Sequence, residues 1–261
     1  MIRSLYTAAT GMDAQQTKMD TIANNLANAN TTGFKKTRAD FEDLLSETIH
    51  SPRDVTPQGG SAPAPLQVGL GVRTAATTRS FSQGDFVETG NPMDLAVEGT
   101  GMFRVTRPNG EYAYTRAGNF KVDAEGRLVT QRGELVEPQI TVPKEATGVT
   151  VSPDGVVSAA MPGQIKPQEL GQLELTTFVN TAGLEAIGGN LYVETAASGP
   201  PSFVRPGEQG TGTLAQGFLE GSNVKAVEEM VAMISTQRSY ELNSKVIQTA
   251  DQMLQRLTNL R

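Results

Sequence analysis

The chain has 261 residues, a formal net charge of -6 and 38% hydrophobic residues, with 9 Phe, 5 Tyr and no Trp. That length supports one or two domains with real cores, but so few rings leave part of the stability to partners. The acidic balance argues against nucleic acid as a partner, because phosphate neutralisation needs clustered Lys and Arg.

The one basic run, Lys35-Lys36-x-Arg38, reads as a solvated turn. Without cysteine, disulfides, zinc-thiolate sites and Cys nucleophiles are excluded. No run of about 18 apolar residues is present to span a membrane. The opening Met1-Ile2-Arg3-Ser4-Leu5 leads into a mixed polar segment, without the apolar stretch and small-residue cleavage site of a secretory signal.

In chain order, Leu5, Met12, Met19 and Leu26 recur at seven-residue spacing, with Ala8 or Ala9, Gln15 and Ile22 between them. This predicts a helix over residues 1–30 with a narrow coiled-coil-like seam. Its formers are weak. Gly11 costs about 1 kcal/mol in a helix interior, and Thr21, Asn24, Asn25, Asn28 and Asn30 prefer caps and turns. Such a helix is expected to fray alone and to order on a partner. Gly33, followed by Phe34, predicts a left-handed helix stop.

Residues 36–50 fit a short amphipathic helix through Phe41, Leu44, Leu45 and Ile49. Residues 51–71 hold four Pro and four Gly and read as an irregular connector. Beyond them, short alternating runs are separated by turn signals. Phe103–Thr106 and Tyr112–Thr115 flank Pro108-Asn109-Gly110, a hairpin signal. Asp123-Ala124-Glu125-Gly126 and Pro153-Asp154-Gly155 mark two more turns, and Leu173–Val179 is a further strand. Residues 196–213 are again rich in Gly and Pro.

From Asn223 to Leu260 there is neither Gly nor Pro, which predicts a helix about 55 Å long. Ser222 or Asn223 is a natural N-cap, and Glu228 and Glu229 suit the positive end of the helix dipole. Val224, Val227, Val231 and Ile234 form an apolar stripe that Leu242, Val246, Ala250 (beside Thr249), Met253, Leu257 and Leu260 continue. Gln237, Arg238 and Glu241 interrupt it. So long a helix with so narrow a stripe needs a mate. The periodicity leaves two arrangements open: a hairpin closing one domain, or a helix pair packed against copies of itself.

The fold class is therefore α+β. Long N- and C-terminal helices pair in coiled-coil fashion, around a central, mostly antiparallel β domain with extended connectors. The expected divisions are a discontinuous helix domain (1–33 with 222–261), a connector (34–71, Pro/Gly-rich from 51), a β domain (72–195) and a return connector (196–221).

Catalytic chemistry finds little to work with. His50 is the sole histidine and would stand alone as a base or ligand. The carboxylate pairs Glu42/Asp43 and Glu228/Glu229 could in principle serve a cell-wall glycosidase, but both read more simply as solvated helix faces. Gly99-Thr100-Gly101 lacks the ending of a phosphate loop. No catalytic, metal or cofactor residues are assigned, and no cofactor is expected.

Longer motifs are specific. Asn24-Asn25-Leu26-Ala27-Asn28-Ala29-Asn30-Thr31-Thr32-Gly33-Phe34-Lys35 resembles the N-terminal signature of flagellar rod and hook proteins. Ser222, Asn223, Glu229, Met230, Gln237, Arg238, Tyr240 and Glu241 lie in a segment that resembles their C-terminal signature. Thr89–Val97 and Tyr114-Thr115-Arg116-Ala117-Gly118 resemble their central β segments. Length and the Gln252–Leu257 ending resemble the distal rod type, with the proximal rod type or a short hook type as the alternative.

The resemblance implies a structural, non-enzymatic subunit of the basal body, outside the cytoplasmic membrane. It would be exported by the flagellar type III apparatus without a cleaved signal, and would polymerise helically with copies of itself. Its implied neighbours are proximal rod and hook proteins, with peptidoglycan- and outer-membrane-ring proteins where the host is Gram-negative. The seam residues Leu5, Met12, Met19, Ile22, Leu26, Val224, Val227, Val231, Ile234, Leu242, Val246, Met253 and Leu257 would then be assembly contacts.

Overall fold

A computed structural model describes residues 2–50, 66–164 and 166–259. It divides into two compact units, one formed by Met1–Leu26, Thr37–Thr78 and Lys225–Arg261, the other by Ala27–Lys36 and Arg79–Val224. The expected helix domain thus carries residues 37–78 with it, and residues 27–36 go with the β unit.

The first unit holds helix α1 (Ile2–Ala27), strands β1 (Thr37–Asp43), β2 (Glu47–His50), β3 (Leu66–Val68) and β4 (Val72–Arg79), and helix α2 (Ala226–Asn259). Thr21, expected to weaken α1, bonds back to the preceding turn, as does Thr236 in α2. The Thr21 hydroxyl donates to Thr17 O at 2.8 Å, and the Thr236 hydroxyl to Ala232 O at 2.8 Å.

The short helix expected over 36–50 is not formed. β1 pairs with β4, and β2 pairs antiparallel with β3. The Phe41/Leu44/Leu45 spacing mimics a helical stripe, but a Thr-rich strand, Val72–Arg79, offers β1 a ladder. Cross-strand polar pairs, Arg73 with Glu42 and Thr78 with Asp40, fix it. The expected connector 51–71 is partly strand for the same reason, and its residues 51–65 lie outside the described residues.

The second unit is antiparallel β. Its strands are β5 (Phe86–Glu88), β6 (Leu95–Glu98), β7 (Met102–Thr106), β8 (Tyr112–Thr115), β9 (Lys121–Val122), β10 (Leu128–Val129), β11 (Leu135–Glu137), β12 (Gly148–Val151), β13 (Val156–Ala160), β14 (Gln168–Gln172), β15 (Leu175–Thr177), β16 (Glu185–Gly188), β17 (Leu191–Val193), β18 (Ser202–Val204), β19 (Thr213–Gln216) and β20 (Phe218–Glu220). The main sheet runs β16-β17-β8-β7-β11-β10-β9, with β15 bridging β7 to β18. β12-β13-β14 form a second sheet, and β6 and β5 pair with β19 and β20.

The three turn signals fall where the strands reverse, at Gly110, Gly126 and Gly155, each with positive φ. The return connector expected at 196–221 instead contains β18, β19 and β20. Their short runs, Ser202-Phe203-Val204 among them, lie between Gly and Pro residues that masked the strand signal.

One face of the main sheet buries the principal core. Phe103, Val105, Ala113, Val136, Leu175 and Leu191 pack there with Leu95, Val97, Phe120, Ile140 and Leu173. The Phe103 and Phe120 rings meet edge-on at 5.0 Å. Each such side chain, fully buried, contributes about 1.5–3 kcal/mol. The opposite face carries a smaller cluster of Met102, Tyr114, Leu184 and Tyr192 under Phe81 and Phe178. There burial, and then the neighbouring Glu194 carboxylate, push the Tyr114 hydroxyl up to about 12.

Candidate functional site

Part of the motif set, Asn28, Thr32, Gly33, Phe34, Lys35, Ser222 and Asn223, belongs to the β unit. After α1 ends at Ala27, Thr31 N and its hydroxyl return to Asn28, and Phe34 N donates to Thr31 O at 3.2 Å. Gly33 therefore lies six residues beyond the helix rather than acting as its stop. Its φ is +69°, and a Cβ there would stand 2.7 Å from Ala117 N. Glycine is required twice over, for the left-handed backbone and for the close approach. Thr32 O accepts from Asn190 Nδ2 at 2.8 Å, and Phe34 is buried.

Lys35, expected in a solvated turn, is instead fully buried. Its Nζ donates to Glu220 Oε1 at 2.6 Å and to Ser82 O at 2.8 Å. The other Glu220 oxygen takes Arg116 Nε at 2.6 Å, and Gly84 N donates to Oε1 at 2.9 Å. Arg116 spends its remaining donors on the carbonyls of Val97, Gly99 and Gly101. Two cations thus share one carboxylate, and backbone carbonyls disperse the surplus charge. Burial holds the Lys35 ammonium below the usual lysine range, against the pull of Glu220. In such a cluster the geometry satisfies each group, so removal of one member is costly.

Asn223 adds a second clamp. Its Oδ1 accepts from Lys36 N at 2.7 Å, and its Nδ2 donates to Ser80 O at 2.9 Å and to the Ser82 hydroxyl at 2.9 Å. Ser222 Oγ accepts from Val224 N at 3.3 Å. Neither residue caps α2, which starts at Ala226, because the Asn223 amide is committed to the crossing segments. Glu220 was not singled out by sequence reasoning, and no local signal marks it.

Within the helix unit, Asn25 is buried. It mimics a strand partner, with Nδ2 donating to Thr37 O at 2.8 Å and Oδ1 accepting from Thr37 N at 2.9 Å. The same Nδ2 reaches Glu229 Oε2 at 3.2 Å. Further along, a Cβ on Gly11 would stand 2.9 Å from Asn243 Nδ2. Fourteen residues separate the two meeting points on each helix, 25 to 11 and 229 to 243. The helices therefore run antiparallel in register, and Gly11, read as a weak point, lies where α2 approaches.

The face of α2 turned inward is not the apolar stripe. Glu229, Thr236 and Ala250 are buried at heptad spacing, with Asn243 half-buried between them. Of the expected stripe on α2, Ala250 is thus turned inward, while the others described are exposed: Val227 (69%), Val231, Ile234, Leu242 (62%), Val246 and Met253. At about 100° per residue, Val227, Val231 and Ile234 stand roughly 140–200° from Glu229. On α1, Ile22 is buried and Leu5, Met12, Met19 and Leu26 are half-buried; Val224 is buried in the β unit. Met230 and Tyr240 are exposed, as are Asn24, Gln237, Arg238 and Glu241. The side chains of Leu257 and His50 lie outside the described residues.

Polar groups tie segments together within each unit, and α2 leaves a row of apolar side chains exposed. The class of protein is set by comparison with known proteins. Residues 5–35 match the family "Flagella basal body rod protein", residues 96–159 match "Flagellar hook protein FlgE/F/G D1 domain", and residues 215–260 match "Flagellar basal body rod FlgEFG protein C-terminal". The flagellar basal-body rod protein FlgG of Caulobacter vibrioides is 49% identical over 261 residues, covering all of both chains. The FlgG protein of Borreliella burgdorferi is 51% identical over 265 residues, covering all of this chain and 99% of its own. The FlgF rod protein of Caulobacter vibrioides is 35% identical over 254 residues, covering 95% of this chain and 93% of its own.

The chain belongs to the FlgG family of flagellar basal-body rod proteins. It is a structural component of the rod and not an enzyme. Among the described residues, no helix is long and apolar enough to cross a membrane.

Proposed function

We propose that this chain is the axial subunit of the distal rod, stacking helically on copies of itself through the outward faces of its terminal helices. The observation that carries the reading is the α2 stripe. Val227, Val231, Ile234, Leu242, Val246 and Met253 are exposed on one long helix, and burying each against a neighbour contributes about 1.5–3 kcal/mol. Repeated along a tube, such contacts form a stiff shaft that passes torque from motor to hook.

In this reading proximal rod and hook proteins adjoin the two ends. Ring proteins of the peptidoglycan and outer membrane surround the shaft where the host has them. The type III export apparatus delivers the chain without a cleaved signal. A proximal-rod role has weaker support, because within one organism the FlgG protein is 49% identical and the FlgF protein 35%.

The test is to locate the tagged full-length chain in purified basal bodies, with and without a functional export apparatus. Export-dependent recovery in the rod segment next to the hook is expected. Recovery in the cytosol alone, or export that ignores the apparatus, would contradict the reading.

A further inference from the structure

The tip of the β7–β8 hairpin carries the one Asn-Gly pair in the chain, Asn109-Gly110. Pro108, Asn109, Gly110 and Glu111 are exposed. Arg107 N donates to Glu111 O and Gly110 N to Arg107 O, both at 2.9 Å, and these bonds close the turn. Gly110 has φ +83°, and a Cβ there would meet nothing within 4 Å. The left-handed backbone selects glycine, so the nitrogen of residue 110 has no side chain beside it to shield it.

Glu111 holds the Asn109 amide at both ends. Oδ1 accepts from Glu111 N at 3.2 Å, and Nδ2 donates to Glu111 Oε2 at 2.6 Å. Arg107 Nη1 donates to the same Oε2 at 3.0 Å and fixes the carboxylate. A side chain bonded to the backbone two residues on arches over the peptide between, so Asn109 Cγ is folded back toward Gly110 N. Asn91 is held in the same way. Its Oδ1 accepts from Met93 N at 3.3 Å, and its Nδ2 donates to Asp94 Oδ1 at 3.1 Å. The residue after it is Pro92, whose nitrogen carries no hydrogen. The two asparagines share a cradle, and of the two only Asn109 faces a nitrogen that can attack.

We propose that Asn109 is a site of spontaneous deamidation, converted to aspartate and isoaspartate by its own backbone. Gly110 N attacks Asn109 Cγ, a Cγ–N bond forms, and the Cγ–Nδ2 bond breaks. The Gly110 N–H proton leaves with Nδ2 as ammonia, and a cyclic imide remains. Water then opens the imide. Cleavage at Cγ gives aspartate, and cleavage at the backbone carbonyl of residue 109 gives isoaspartate. Water enters, ammonia leaves and no electrons are exchanged. The Glu111 N–H sits where charge builds on Oδ1, and the held amide spares a search through side-chain rotamers. The attack needs the bond from Gly110 N to Arg107 O to open, which an exposed hairpin tip permits at little cost. The product sets a new carboxylate beside Glu111, and the isoaspartate form adds a backbone carbon next to the Thr106–Tyr112 pair. A tip on which the Arg107 and Glu111 charges balance thus turns acidic with age.

The test incubates the purified full-length chain in mildly alkaline buffer, folded and, in a parallel sample, unfolded in urea. Peptide mapping by mass spectrometry, with aspartate and isoaspartate peptides separated, follows every asparagine over time. In the folded chain the Asn109 peptide should be lost several-fold faster than any other asparagine peptide, with both products formed and Asn91 intact. Loss at Asn109 no faster than elsewhere would overturn the proposal. So would a folded chain that keeps Asn109 while the unfolded chain loses it, because the hairpin would then protect the pair rather than present it. Pro92→Gly gives the Asn91 cradle an attacking nitrogen and should make Asn91 a second site. An unreactive Asn91 in that variant, with the β unit's unfolding transition unchanged, would contradict the role assigned to the cradle.

Discussion

The β unit and the terminal helices treat their apolar residues in opposite ways. Leu95, Val97, Phe103, Val105 and Leu175 are sealed inside the chain that made them. Val227, Val231, Ile234 and Leu242 stand in the open on a helix whose hidden face is Glu229, Thr236, Asn243 and Ala250. The first region completes its own burial. The second meets α1 through small and polar side chains and leaves its apolar stripe exposed. If the exposed stripe serves assembly, as proposed, stability and assembly rest on separate residues, and mutations should separate them too.

The sharpest way to break the first region is at the buried ion cluster. Glu220→Gln leaves Lys35 and Arg116 buried without a counter-charge, and should cost the β unit about 3–5 kcal/mol. Urea unfolding of the full-length chain measures this, and a loss under about 1 kcal/mol would show that the carbonyls suffice. Phe103→Ala should cost a similar 3–5 kcal/mol by the same measurement, as a cavity opens beside Phe120.

Gly33→Val tests the chain crossing. The left-handed backbone and the clash with Ala117 should cost about 1–3 kcal/mol and impair motility; a motile swarm of wild-type size would argue against the tight approach. Smallest is Gly11→Ala. The gain in helix propensity, about 1 kcal/mol, is opposed by the Asn243 amide, so the net change should be slight. Adding Asn243→Ala should release the gain, and no difference between the single and double variants would contradict the antiparallel register.

Much of this contrast is legible in the sequence. Helix periods, the Gly-marked hairpin turns and the apolar α2 stripe are local patterns with local causes. What was hidden depended on distant residues. Lys35 looks like one member of a solvated basic run until Glu220, 185 residues away, is brought beside it. Phe41, Leu44 and Leu45 fit a helix until Val72–Arg79 offers a ladder. The stripe identified a surface but not what it faces. Its partner helix turned out to use the opposite side, where the residues are too polar to register as a seam.

The central claim is that the α2 stripe serves assembly and not the fold of the single chain. Ile234→Asp tests it most directly, by scoring the full-length variant both for β-unit unfolding and for incorporation into purified basal bodies. The account predicts an unfolding free energy within about 0.5 kcal/mol of the parent, as for a surface change, together with loss of rod growth. Normal rods from the Ile234→Asp chain would contradict it.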